Sequence, residues 1–236
     1  MKEIRICGLQ KTTLLDYPGH VAATIFLGGC NIRCPYCHNV DLLDIHSPSR
    51  YTREEILAFL KKRSGILEGV CITGGEPTLH ADALAEFIQC IRSLDLLVKL
   101  DTNGTRPDVI RRLKDDGLIN YIAMDIKAGP DNYATACGLS EMNLEPVRDS
   151  VAWLTAGALP YEFRTTVVKG LHTALDFKDI GAFIKGCQNY FLQNFAASGR
   201  VLKPDGLGSF SKDELLHFAG LVKPYVTNVA LRGIDY

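Results

Sequence analysis

Short apolar runs alternate with longer amphipathic stretches along nearly the whole chain. The apolar runs are rich in Val, Ile, Leu and aromatic residues, which is typical of strands buried in a sheet. We predict strands at residues 21–27, 69–73, 96–100, 121–126, 161–168, 190–195 and 226–231. Several of these runs end in glycine or a polar residue, which indicates where the chain leaves the sheet.

The stretches between the runs carry apolar residues at helical spacing. Thr52 and Glu55 form a capping box, which predicts a helix that reaches about Arg63. Ala81 to Ser93 has an apolar face of helical period. Further helices are expected at residues 106–115, 141–156 and 176–185, and after a last capping pair formed by Ser211 and Glu214.

Regular alternation of strands and helices predicts an α/β fold with a parallel sheet. We count five or six such units, whereas a complete eight-unit barrel typically needs about 250 residues. An open doubly wound sheet and an incomplete barrel therefore both fit this pattern. No repeat, low-complexity tract or linker divides the sequence, so residues 1–236 are expected to form a single domain.

Composition excludes several classes of protein. A hydrophobic fraction of 47% with 22% charged residues is ordinary for a globular chain. The formal net charge of -1 argues against a nucleic acid partner. No apolar run has the length of a membrane helix, and the first residues lack the continuous apolar stretch of a signal peptide. We therefore expect a cytoplasmic protein that does not bind membranes.

Polar and glycine-containing segments follow four successive predicted strands. Ligands of parallel α/β folds bind at the carboxyl ends of the strands, so these segments are expected to form one site. The segments are Cys30 to Asn39, Gly74-Gly75-Glu76, Asp101-Thr102-Asn103-Gly104, and Asp125 with Lys127.

Three of the eight cysteines, Cys30, Cys34 and Cys37, lie close together in the spacing C-x3-C-x2-C. Thiols stay reduced in a cytosolic chain, so this grouping indicates a metal site or a reactive site rather than a disulfide. The metal would be zinc or an iron–sulfur cluster. Structural zinc needs a fourth ligand, and neither His20 nor His46 has zinc spacing, while His38 directly follows Cys37. Three thiolates on a four-iron cluster would leave one iron open to a substrate. The scattered cysteines are interpreted as packing residues: Cys7, Cys71, Cys90, Cys137 and Cys187.

The three cysteines, with Tyr36 just before the last, resemble the signature of the radical S-adenosylmethionine (SAM) superfamily. This resemblance implies that the cysteines hold a [4Fe-4S] cluster whose open iron chelates SAM. One electron from the cluster then cleaves SAM to methionine and a 5′-deoxyadenosyl radical. The usual fold of this family is an incomplete (β/α)6 barrel with parallel strands, in agreement with the unit count.

Later segments resemble further motifs of the same superfamily. Gly74, Gly75 and Glu76 match the motif that binds the methionine ammonium, and a carboxylate is chemically suited to that role. The D-T-N-G and D-x-K segments resemble the branch that activates glycyl radical enzymes. In that branch Lys127 would face the SAM carboxylate. The resemblance also implies a monovalent cation near Asp101, Thr102 and Asp125, and cofactor binding by Tyr36 and His38.

The N-terminal segment, including Asp16-Tyr17-Pro18-Gly19, resembles activases of anaerobic ribonucleotide reductases. These enzymes take a hydrogen from a glycine Cα of a glycyl radical enzyme and receive electrons from a flavodoxin or ferredoxin. Related activases carry a late-strand histidine, where this chain has Gln193-Asn194-Phe195, and His172 is expected at the surface. Two alternatives remain: a radical SAM enzyme acting on a small molecule in cofactor biosynthesis, and a zinc-stabilised binding module.

Overall fold

The computed structural model describes residues 4–46, 48–196 and 200–233. Within them, eight strands form a sheet whose order follows the chain and has β1 and β8 at its two ends. The strands are β1 (Ile6–Thr13), β2 (Ala22–Leu27), β3 (Gly69–Gly74), β4 (Leu97–Thr102), β5 (Tyr121–Asp125), β6 (Tyr161–Val167), β7 (Asn189–Asn194) and β8 (Asn228–Arg232). The predicted α/β fold with parallel strands in a sheet that does not close on itself is confirmed.

Helices connect most of the strands. They are α1 (Arg53–Lys62), α2 (Ala81–Arg92), α3 (Pro107–Asp115), α4 (Tyr133–Ala136), α5 (Glu145–Thr155), α6 (Ala174–Phe183) and α7 (Lys212–Val222). The capping boxes predicted at Thr52 and Ser211 are both present. Helix α5 begins at Glu145 instead of the predicted position 141, because the side chain of Asn143 accepts a bond from the Glu145 N–H and proline at position 146 favours the first helical turn.

Strand β1 was not predicted from the hydrophobic pattern. It pairs antiparallel with β2, whereas β2 pairs parallel with β3 and β3 parallel with β4. The register of β1 shifts between Ile6 and Gly8 and again between Gln10 and Thr13. Such irregularities interrupt the two-residue alternation by which a strand is identified in a sequence.

The contacts within the chain divide it into two compact units. The first comprises residues 1–31, 41–102 and 106–123, and the second comprises residues 32–40, 103–105 and 124–236. The first unit contains β1–β4 and α1–α3, and the second contains β6–β8 and α4–α7. The single domain over residues 1–236 stays a prediction.

Each unit has a core of aliphatic and aromatic side chains. In the first, Ile25, Ile72 and Leu100 of the sheet are fully buried, and in the second Phe163 and Leu192 are. No helix of the described ranges is both long and apolar enough to cross a bilayer.

Candidate active site

In the first unit, Gly74 and Gly75 bring the chain unusually close to the end of β2. A Cβ atom on Gly75 would lie 2.1 Å from the carbonyl oxygen of Gly29, and one on Gly74 would lie 2.3 Å from that of Leu27. Gly74 also has a φ of +121°, a conformation that side chains disfavour. The Gly75 N–H donates to Leu27 O at 2.9 Å, and the Glu76 N–H donates to Gly29 O at 2.7 Å. The two glycines therefore attach Glu76 to the segment that leads directly into Cys30.

The carboxylate of Glu76 is buried and held by hydroxyl and amide donors. Its side chain is 1% exposed. Oε1 accepts hydrogen bonds from the backbone N–H of Thr78 at 3.1 Å, from the Thr78 hydroxyl, and from the Thr102 hydroxyl at 2.8 Å. The ends of β3 and β4 thus share one hydrogen-bonded group, as expected for loops at the carboxyl edge of parallel strands.

Asp101 forms a buried ion pair with Lys99 in the same strand, β4. Lys99 Nζ contacts Asp101 Oδ1, and the two residues are 1% and 8% exposed. Residues two apart in a strand point to the same face, which explains the pairing. Lys99 Nζ also lies 3.8 Å from Cys71 Sγ on β3, whose register places Cys71 directly opposite Lys99. The hydrophobic pattern predicts Lys99 only as a residue of a strand.

In the second unit, the cysteine loop, residues 32–40 with Cys34 and Cys37, packs against the turn that follows α4. Cys34 is buried, and the N–H of Arg33 donates to the carbonyl of Cys137 at 2.8 Å. A hydrogen bond from Cys137, opposed by burial and assisted by nearby Lys127, lowers the pKa of the Cys34 thiol to about 7. Burial instead raises the pKa of Cys37. Cys137, interpreted from the sequence as a packing residue, therefore also acts on a predicted cluster ligand.

Tyr36 is buried and lies between Cys34 and Cys37 in the sequence. Its hydroxyl group lies beside Cys34 and helps to lower the pKa of that thiol. Burial and the neighbouring Cys34 raise the pKa of the phenol well above its usual value. The aromatic ring is therefore neutral and contributes its apolar surface to the cysteine loop.

Asp125 and Lys127 form an ion pair that also includes Arg164 of β6. Asp125 Oδ2 lies 2.9 Å from Lys127 Nζ, and Oδ1 lies 2.5 Å from Arg164 Nε. Burial raises the pKa of Asp125, but the two cations outweigh it and hold this pKa well below its usual range. Burial likewise lowers the pKa of Lys127, but Asp125 outweighs that effect and the pKa lies above its usual value. The group carries fixed charges at neutral pH.

His172 is buried, which contradicts the expectation that it lies at the surface. Its Nδ1 accepts a hydrogen bond from the N–H of Val168 at 3.0 Å, so Nε2 carries the proton and donates to Lys127 O at 2.8 Å. Burial lowers the pKa of the imidazole. The histidine thus holds the backbone of Lys127, and the loop position of His172 in the sequence gave no sign of this contact.

His38, in contrast to the cysteines beside it, is exposed. Its ring lies 5.2 Å from that of Phe195, and both line a cavity of about 440 Å³. Gln193, Asn194 and Arg200 also line this cavity. In the loop that follows β7, residues 197–199 lie outside the described residues. Elsewhere in this loop, the N–H of Leu202 donates to the carbonyl of Cys37 at 3.1 Å.

Residues of these groups that were not predicted to take part include Lys99, Cys137, Arg164 in its role on Asp125, and His172. Lysine 99 offered a usable signal, because a charged residue inside an apolar strand needs a buried partner and Asp101 stands two positions on. The contacts of Cys137 and His172 join positions far apart in the chain. No local pattern reports such pairs.

Comparison with known proteins gives the family. A model of the Radical SAM superfamily matches residues 24–179. The chain belongs to the radical SAM superfamily. A protein of Methanocaldococcus jannaschii named "Putative glycyl-radical enzyme activating enzyme" is 32% identical over 98% of this chain and 96% of its own length. The pyruvate formate-lyase-activating enzyme of Clostridium pasteurianum is 32% identical over 42% of this chain and 43% of its own length.

A solved structure shares the fold of this radical SAM protein. A radical SAM methyltransferase from Sphaerobacter thermophilus superimposes with a TM-score of 0.69 at 14% identity. The match covers 92% of this chain and 67% of the methyltransferase chain.

The superfamily implies a [4Fe-4S] cluster and SAM, and the chemistry of the cysteine loop fits a cluster. Iron–sulfur clusters are bound by thiolates, and the lowered pKa of Cys34 favours that form near neutral pH. Within the described parts of the chain, no three His, Cys, Asp or Glu side chains converge closely enough to hold a single metal ion. Ligands of a four-iron cluster bind separate irons, so cluster binding does not require that convergence.

Proposed function

We propose that this radical SAM protein is an oxidoreductase that activates a glycyl radical enzyme, an anaerobic ribonucleotide reductase or a related enzyme. The observation that carries the proposal is the 32% identity to the M. jannaschii protein, which extends over almost the full length of both chains. The protein partner is then the glycyl radical enzyme, and a flavodoxin- or ferredoxin-type protein is the electron donor.

The predicted cluster ligands are Cys30, Cys34 and Cys37. When bound, the reduced cluster supplies the electron that cleaves SAM and so provides the radical that takes hydrogen from glycine. Tyr36 covers the loop with an apolar ring and excludes water from it. Cys137 donates a hydrogen bond to Cys34 and stabilises negative charge on that sulfur.

Glu76 and Lys127 bind and orient SAM in this proposal. The buried carboxylate of Glu76 attracts the methionine ammonium, and the bonds from Thr78 and Thr102 fix its direction. Lys127 offers its ammonium to the SAM carboxylate, while Asp125 and the His172 contact to its carbonyl hold it in position. Gly74 and Gly75 serve by allowing the backbone to approach the segment before Cys30.

The cavity beside His38 and Gln193 is open to a bound molecule of moderate size. A volume of about 440 Å³ lies within the range typical of small-molecule sites. We place the exposed His38 there as a cofactor-binding residue, since its ring can stack on a flat base.

The decisive experiment follows the hydrogen atom. Reconstituted protein, a reductant and SAM are mixed without oxygen with candidate glycyl radical enzymes, and electron paramagnetic resonance detects the glycyl signal. Deuterium placed on the target glycine should appear in 5′-deoxyadenosine. If a deuterated small molecule supplies that deuterium and the glycine never does, the biosynthetic alternative replaces the activase.

Cysteine variants provide the matched controls for this assay. Cys30→Ala, Cys34→Ala and Cys37→Ala should each abolish reductive cleavage of SAM, because a thiolate ligand is lost. Cys90→Ala changes a half-buried cysteine of α2 and should leave cleavage intact. If any of these three variants cleaves SAM at the normal rate, the replaced cysteine is not a cluster ligand.

A further inference from the structure

Lys99 is a buried charged residue that contacts side chains of its own strand, β4, and of the neighbouring strand β3. It lies in the middle of β4, is 1% exposed, and contacts Asp101 Oδ1 and, at 3.8 Å, Cys71 Sγ. A buried ammonium is stable only beside a compensating charge, and Asp101 provides it. The mechanism proposed above makes no use of this lysine.

The same pair bears on the monovalent cation that the family resemblance implies. Two of the expected ligands, Asp101 and Thr102, belong to the first unit. The Asp101 carboxylate is paired with the Lys99 ammonium, and the Thr102 hydroxyl donates a hydrogen bond to Glu76. A free cation beside Asp101 would be repelled by the positive charge already there. The residues around Asp101 therefore do not fit an additional monovalent cation.

We propose that the ammonium of Lys99 takes the part of that cation, so that this enzyme binds SAM without needing sodium or potassium. An ammonium carries one positive charge and three donors on a compact group, much as a hydrated monovalent ion presents one charge to several oxygens. The position follows from strand geometry, because residues two apart point to one face, which brings the Lys99 ammonium to the Asp101 carboxylate. This inference rests on the proposed function, since it assumes that Asp101 lies beside the cofactor.

The consequence is a cofactor site whose positive charge belongs to the polypeptide. The fraction of this site that is occupied by SAM then does not depend on which ions the medium contains. A dissociable cation, in contrast, would make SAM binding follow the concentration of that ion.

The test measures SAM affinity of the anaerobically reconstituted enzyme from the change in its cluster spectrum. Titrations are made in potassium chloride, in sodium chloride and in tetramethylammonium chloride at equal ionic strength. The wild type should show the same affinity in all three salts, within about twofold. A loss of about tenfold or more in tetramethylammonium chloride overturns the proposal. Thallium(I), used as a probe for monovalent cation sites, should not bind the wild type stoichiometrically, and saturable one-to-one binding likewise overturns it.

Substitution of the lysine should create the dependence that the wild type lacks. Lys99→Met leaves the buried Asp101 carboxylate to recruit an ion, so SAM affinity should fall by about tenfold or more when potassium is replaced by tetramethylammonium. Lys99→Met with Asp101→Asn removes both charges and should show no such response. Lys114→Met breaks an exposed lysine–aspartate pair with Asp115 and should behave as the wild type. If Lys99→Met folds and its SAM affinity stays independent of the salt, Lys99 does not stand in for a cation. If it does not fold, the wild-type salt series and the thallium titration decide.

These measurements separate the inference from the proposed function. SAM binding and its uncoupled cleavage require no protein partner. An enzyme that is indifferent to cations but transfers no deuterium from glycine supports the role of Lys99 and contradicts the activase. An enzyme that transfers deuterium from glycine only when potassium is present supports the activase and contradicts the role of Lys99.

Discussion

His172 has both ring nitrogens in hydrogen bonds to the backbone, which determines how it responds to pH. A second proton would have to lie on Nδ1, where the N–H of Val168 already points at the ring. Burial accordingly lowers the pKa of His172 below the usual value of about 6.5. The unfolded chain then binds more protons than the folded chain as the pH falls through that value. The stabilising contribution of the neutral ring is present above pH ~6.5 and is lost as the pH falls towards the lower, folded-state pKa.

We therefore expect the free energy of unfolding to decrease on acidification below pH ~6.5, by at most about 1.4 kcal/mol per pH unit from this residue. His172→Gln should remove that part of the slope. Denaturant titrations of the cluster-free protein across this pH range measure it. His217→Gln, at an exposed position of α7, is the matched control. An unchanged slope in His172→Gln would falsify the role given to the buried ring.

Glu76 should affect cofactor affinity more than cluster assembly. Glu76→Gln preserves the size of the side chain but removes the charge that attracts the SAM ammonium. Loss of one partner from a buried charged pair costs ~2–5 kcal/mol, and the lower figure is still more than tenfold in affinity. Titration of the cluster spectrum with SAM measures the affinity, and iron analysis measures the cluster. Thr102→Val removes only one of the donors to Glu76 and should weaken binding less. Wild-type affinity in Glu76→Gln would contradict the assignment.

At the scale of elements, the connection from β3 shows why glycine is required at two consecutive positions. The chain after β3 lies so close to the end of β2 that backbone meets backbone. Side chains there would have to displace a main-chain carbonyl, and such an atom cannot move aside as the end of a flexible side chain can. Packing and the proposed function therefore both require glycine at positions 74 and 75.

Two glycine substitutions should have opposite effects on stability. Gly75→Ala would place a Cβ 2.1 Å from Gly29 O and should lower the free energy of unfolding by about 2–3 kcal/mol. Gly220→Ala lies in α7 with nothing within 4 Å of the added atom, and should raise it by about 0.5–1 kcal/mol. Thermal or denaturant unfolding of both variants provides the comparison. If Gly75→Ala is as stable as Gly220→Ala, the backbone around position 75 accommodates the added Cβ without loss of stability.

At the scale of the whole molecule, the order of strands and helices could be predicted because periodicity and capping are local properties of a sequence. Thr52 and Ser211 each form a capping box with the glutamate three positions later, and this pattern predicts the start of a helix. The cysteine spacing predicted the family for the same reason. The bulged strand β1 and the burial of His172 could not be predicted, since the one depends on register with β2 and the other on a contact with Lys127, 45 positions away.

The metal content of the whole protein is a further prediction. The sequence has one group of closely spaced cysteines, so the reconstituted protein should hold one four-iron cluster, with iron and sulfide in equal amounts and a brown colour. Cys34→Ser should lower this content severely, while Cys90→Ser should not. A colourless protein with stoichiometric zinc would instead favour the zinc-stabilised binding module.

The two backbone hydrogen bonds that join Gly75 and Glu76 to Leu27 and Gly29 bear on how the holoenzyme is assembled. Cys30 follows Gly29 directly, so the acid expected to meet the SAM ammonium and the first expected iron ligand are fixed to one another by the polypeptide alone. The chain entropy of this part is lost during folding rather than when the cofactors enter. This part of the binding site is therefore already formed before an iron–sulfur cluster is delivered. Hydrogen exchange at the amides of Gly75 and Glu76 should accordingly be slow before any iron is added.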